Sequence, residues 1–179
     1  MRAVDDDDEK KDLIGRKIDL IIKGSEVEMC SSEWKKPSTT AKIIEQQRIK
    51  NIRTNSAMLH KLSKLVGHDN LFLLGMDWVG FIGVMFSLTQ VSDVHCVNIV
   101  GDLVLPQTMN VLEMFKNTLN LLYMFKQHNL DLLDVVTPAL ERKVIEDQLK
   151  MMTGSYNERS VRRAPMTFFT PKKKREKKN

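Results

Sequence analysis

Leu71-Phe72-Leu73-Leu74-Gly75-Met76-Asp77-Trp78-Val79-Gly80-Phe81-Ile82-Gly83-Val84-Met85-Phe86-Ser87-Leu88-Thr89 is a run of nineteen residues with a single charge. Its length approaches a membrane span, and Lys61 and Lys64 ahead of it would set the amino end on the cytoplasmic side. Asp77 stands against insertion, at a cost of about 2.5–3.5 kcal/mol, and Gly75, Gly80 and Gly83 offset little of that. The reading taken is a helix buried on all sides of a small helical body, interrupted at a glycine, with the membrane span as the alternative.

Working outward, residues 39–66 carry the clearest helical pattern, opening at the Ser38-Thr39-Thr40 cap and closing at Gly67. At about 100° per residue, Lys42, Lys50, Arg53, His60, Lys61 and Lys64 fall within an arc of about 100°. Ile44, Ile52, Met58, Leu59, Leu62, Leu65 and Val66 fall within about 140° on the other side. Glu45 is the one acidic residue between Lys42 and Lys64, so the basic face lacks the opposite charges that would form i,i+4 pairs. Clustered lysine and arginine gain affinity for phosphate by releasing condensed counterions. Lys42, Lys50, Arg53, Lys61 and Lys64 are therefore the candidate nucleic-acid contacts, weighed against an ordinary solvated face.

Downstream, helices are expected at about 106–128 and 138–152, with Pro106 and Pro138 in first turns, Thr137 as a cap and Gly154 as a stop. Val111, Leu112, Phe115, Leu119 and Leu122 form a core stripe, and Met114, Leu121, Met124 and Phe125 widen it into a surface for a protein partner. Residues 95–104 leave room for one short strand. Residues 25–38 read as a linker in which Trp34 needs a partner, and residues 12–24 fit a short helix or a strand equally well. The fold class expected is mainly α: a small helical bundle over 39–153, an acidic head and linker over 1–38, and a disordered basic tail over 154–179.

Charge is concentrated at the ends of the 179-residue chain. Residues 1–12 hold three basic side chains against six acidic, residues 155–179 hold nine against two, and the net charge of +5 leaves the body within one charge of neutral. The acidic head suits shielding of the tail or basic partners such as histones. Pro171, Lys172, Lys173, Lys174, Arg175, Lys177 and Lys178 resemble a monopartite nuclear localisation signal, interrupted at Glu176, which implies a nuclear import receptor as partner and the nucleus as location.

Glu45, Arg48, Asn51, Ile52, Asn55, Leu59 and Leu62 occupy the positions of an ExxRxxNIxxNxxxLxxL segment. Over residues 45–62 the chain resembles chromatin-associated proteins that carry this segment, including the nuclear WD-repeat DNA-damage-binding group, with Ile44 where an aromatic often precedes the Glu. The resemblance implies a chromatin or DNA partner and no activity. Nothing downstream reads as a propeller. Arg48 lies on the apolar arc, which suits a partner at a packing interface better than a phosphate.

No catalytic residue, cofactor or metal ligand set is assigned. Cys30 and Cys96 form no CxxC, His60, His68, His95 and His128 lack ligand spacing, and no GxSxG or phosphate loop occurs. Asp77, Asp93, His95, Cys96 and Asp102 are the polar groups in apolar surroundings, where capping or backbone satisfaction is their commoner role. The function expected is a non-enzymatic nuclear adaptor on chromatin or DNA, with a structural subunit of a larger nuclear assembly and a small membrane protein as the alternatives.

Overall fold

The structure, a computed structural model, describes residues 19–67 and 70–153. The acidic head and the basic tail, with the import-signal residues Pro171 to Lys178, lie outside the described residues.

The expected helical bundle is overturned: five strands in the order β1-β2-β3-β4-β5 form one mixed sheet packed with two helices, an α/β fold. The strands are β1 (Leu20–Gly24), β2 (Val27–Lys35), β3 (Phe72–Val79), β4 (Ile82–Val91) and β5 (Val94–Val104), and the helices are α1 (Ala41–Val66) and α2 (Leu112–Thr153). Neighbouring strands are antiparallel except β2 and β3, which run parallel with α1 as the crossover such a pair needs.

The run 71–89 is a β-hairpin. β3 lies inside the sheet, contributes to both cores and is buried on both faces from Leu73 to Trp78, so the period-two alternation of a strand disappears. Val79 pairs with Ile82 across Gly80 and Phe81, and Gly80 takes φ +60, where a Cβ would also meet Pro37 at 2.6 Å. Gly75 and Gly83, read as helix interruptions, lie opposite Phe86 and Trp78, whose rings cover them on opposite faces of the sheet. Among the described residues no helix is long and apolar enough to cross a membrane.

Residues 25–38, expected as linker, hold β2, and within the ambiguous segment 12–24 the described part Leu20–Gly24 is strand, so the folded body begins before residue 39. Ser25 and Glu26, both at positive φ, make the two-residue turn between these strands, a role the sequence hides because neither is Gly or Asn. Trp34 finds its partner in Trp78, stacked at 4.8 Å and 11°. The short strand expected near 94–104 is the eleven-residue β5.

α1 occupies the segment predicted helical. Thr40 sits at its N-cap without a side-chain capping bond, and Gly67 closes it at φ 88 with its N–H on the Ser63 carbonyl. The two later helices are one, continuous through Pro138. Val136 and Ala139 are both buried, and this packing on each side of Pro138 offsets a helix-interior proline cost of about 3 kcal/mol. Thr137, expected as a cap, instead places Oγ1 3.1 Å from Ser25 Oγ.

Two cores flank the sheet. Met58, Leu59 and Leu62 of α1 pack on Met29, Leu73 and Leu88, joined by Leu132 and Val136 of α2. Phe125 of α2 packs on Cys30, Leu74, Met76, Trp78, Met85 and Leu103. α2 therefore crosses the sheet diagonally. Leu121 meets Gly101 of β5, Asn129 meets Cys30 of β2, and Leu133 meets Gly24 at the β1–β2 turn. Its buried side is Thr118, Phe125, Asn129, Leu132, Val136 and Ala139. The expected core stripe is thereby corrected: Leu112 and Leu119 are exposed, and Phe125, assigned to a partner surface, is core.

Candidate functional site: a stitched sheet and a cationic cleft

The segment Glu45 to Leu62 acts first on the fold. β2 and β3 pair only over Glu33–Lys35 and Asp77–Val79. Beyond that point side chains replace the missing rungs. Asn55 accepts from Ser31 N at 2.9 Å and donates to Ser31 O at 3.0 Å, while Asn51 donates to Met76 O at 3.0 Å and accepts from Ser31 Oγ at 3.1 Å. Ser32 Oγ accepts from Met76 N at 3.2 Å. Asn51, Asn55, Leu59 and Leu62 are all fully buried. Their spacing puts amide side chains over the gap in the sheet and leucines over the apolar core, an explanation of the pattern by packing alone.

At the other end of this network Asp77 Oδ1 accepts from Lys35 Nζ at 2.7 Å and from Asn51 Nδ2 at 3.2 Å, and Oδ2 accepts from Arg48 Nε at 3.3 Å. Arg48 is thus at a packing interface. Glu33 holds Lys50 Nζ at 3.1 Å. Each of these side chains has at least one partner on a neighbouring element, so the cluster fastens α1 to β2 and β3. Asp102 joins Asp77 and Arg48 around a shallow cleft of about 330 Å³, while His95 and Cys96 sit at the other end of β5 and Asp93 in the turn before it.

The five candidate phosphate contacts separate. Lys50 is engaged with Glu33 at the sheet, Lys42 is exposed near the start of α1, and Arg53 is half-buried midway along it. Lys61 and Lys64 line a cleft of about 860 Å³ between the end of α1 and the second half of α2. There Arg142, Lys143 and Lys150 join them. Glu146 and Asp147 share the cleft and lie 3.8 and 3.4 Å from Lys150 Nζ. Five cations against two carboxylates leave it cationic. The signal available in sequence was the i, i+3 pair Lys61 and Lys64; the helix–helix approach that adds Arg142 and Lys143 was not available.

Cys30 donates to Asn129 Oδ1 at 3.5 Å, and burial pushes its thiol up to about 12, against the smaller downward pull of that bond. A thiol so held stays protonated and is a poor nucleophile. Among the described residues no group of three or more His, Cys, Asp or Glu could hold a metal ion. Burial lowers the pKa of His95, and the charge of His60 lowers it further; burial also lowers His128, opposed by the Phe72 carbonyl and Asp131. Both histidines therefore bind protons less readily folded than unfolded, where the pKa is 6.5. Stability is retained above that value and declines as pH falls through it towards the folded pKa values. Thermal unfolding should accordingly show a falling Tm from pH 7 to pH 5, and His95→Phe should flatten part of the decline; a Tm that holds or rises over this range contradicts the assignment.

No family model, no curated protein and no solved structure matches this chain.

Proposed function

We propose that the protein is a non-enzymatic nuclear adaptor that holds the phosphate backbone of DNA or chromatin in the cleft between α1 and α2. The observation that carries this reading is the convergence of Lys61 and Lys64 with Arg142, Lys143 and Lys150. Two rigid helices set these cations around one concave surface, an arrangement that phosphate exploits through counterion release and that needs no base-reading side chain. Duplex binding by the full chain should fall with salt by about 0.9 per neutralised phosphate on a log–log plot, with weak sequence preference. Absence of salt-sensitive binding at low ionic strength contradicts it.

The nuclear setting is supported by the run Pro171 to Lys178. Replacing Lys172, Lys173, Lys174 and Arg175 with Ala should release a fluorescent fusion into the cytoplasm, and unchanged nuclear accumulation counts against import through this run. A second reading, a structural subunit of a larger nuclear assembly, is favoured by Met114, Leu119, Tyr123 and Met124, apolar side chains exposed along the first half of α2.

A further inference from the structure

Among the described residues β5 is an edge strand, hydrogen-bonded to β4 on one side only. Natural edges are protected by short length, by charged side chains, by proline or by bulges. The opposite edge, β1, follows this pattern with five residues and Lys23. β5 runs eleven residues and carries no Lys, Arg, Glu or Pro. Its register shift, between the pairs Met85–Gly101 and Phe86–Ile99, falls at Val100, just past the middle of the strand, and leaves Val94 to Ile99 regular. Thr118 Oγ1 engages both the N–H and the C=O of Val104, closing the edge at that end alone. Along the regular part three apolar side chains are open to water: Val94 and Ile99 are each 62% exposed, and Val97 is 36% exposed.

We infer that β5 pairs antiparallel with β5 of a second copy across a two-fold axis at Asn98, joining two five-stranded sheets into one. A two-fold axis sets each residue near it against itself or a close neighbour, so a charged strand would meet its own charge. From Val94 to Gly101 the strand has no Asp, Glu, Lys or Arg, and Asn98 on the axis meets a side chain it can hydrogen-bond. Val97 of each copy then lies opposite Ile99 of the other on one face of the joined sheet, apolar on apolar. Asp102 lies beyond the register shift at Val100, four residues from the axis and clear of its own copy. The main-chain groups of the open edge supply the remaining affinity.

Such a dimer also places the clefts, a step that rests on the function proposed above. α2 leads from Gly101 of β5 to the β1–β2 turn before its residues 139–150 line the cleft, so the two clefts of a dimer lie at its far ends and can grip one polyanion twice.

Light scattering on the full chain tests the pairing without nucleic acid, so its outcome is separate from that of the cleft. Wild type should have twice the 20.7 kDa chain mass. Asn98→Lys and Asn98→Glu each set like charges face to face and should both be monomers with unchanged circular dichroism. Mixed in equal amounts they should return to the dimer mass, because the axis then joins Lys to Glu. A monomeric wild type, a dimer that persists in either variant, or two folded variants that fail to recombine each overturns the proposal.

Discussion

Asp77→Ala is expected to cost about 3–5 kcal/mol of folding stability, because it strands a buried ammonium. The Lys35 side chain is 1% exposed and that of Asp77 3%, so neither group can return to water without opening the sheet. Arg48, whose side chain is 47% exposed, can rehydrate, and the loss therefore falls chiefly on Lys35 and on Asn51, which also donates to the Asp77 carboxylate. A loss of this size is a large share of the about 5–15 kcal/mol that holds a domain folded. Removing both charges should cost far less than removing one, since an apolar pair of similar volume can replace a buried ion pair at little net cost. Chemical denaturation of Asp77→Ala beside Asp77→Ala with Lys35→Met measures this directly. Equal losses in the two variants would show that Lys35 is not the stranded charge.

Phe125→Asp should prevent folding, whereas Met124→Asp, one residue away, should change stability by no more than about 0.5 kcal/mol. Phe125 is 6% exposed and fills the core formed by Cys30, Leu74, Met76, Trp78, Met85 and Leu103; Met124 is 41% exposed. Losing the ring costs about 3–5 kcal/mol before the carboxylate is considered, and the carboxylate finds no partner among those side chains. Circular dichroism of the two variants distinguishes this placement of α2 from the one periodicity suggested. A folded Phe125→Asp together with an unfolded Met124→Asp would mean that the helix is rotated.

The pattern of α1 was legible because a helix covering one side of a sheet keeps its amphipathic stripe, and Gly67 marks its end. β3 was illegible for the opposite reason: with both faces buried it lost the alternation that separates strand from helix, and Asp77 read as an intrusion into an apolar run. Asp77 is a half of a pair whose partner, Lys35, lies 42 positions earlier in sequence. β2 was hidden by the same network. Ser31, Ser32, Glu33 and Lys35 look like linker until Asn51, Asn55, Asp77 and Lys50 are placed against them. Pro138 misled because its local cost is real, and only burial of Val136 and Ala139 shows how the helix continues through it. At the cleft, Lys61 and Lys64 were visible as part of a face, but Arg142 and Lys143 joined them only through the packing of α2 on α1.

That division of the basic face gives the most direct test of the cleft. Duplex DNA affinity across a salt series should be measured for wild type, for Lys61→Glu with Arg142→Glu, and for Lys42→Glu with Arg53→Glu. The first pair reverses charges that line the cleft, and the second reverses charges of α1 that do not. The cleft reading predicts that Lys61→Glu with Arg142→Glu weakens binding and lowers the log–log salt slope by about 0.9 for each phosphate that is no longer neutralised, while Lys42→Glu with Arg53→Glu leaves both unchanged. Equal reductions in the two pairs, or a reduction confined to Lys42 and Arg53, would contradict it.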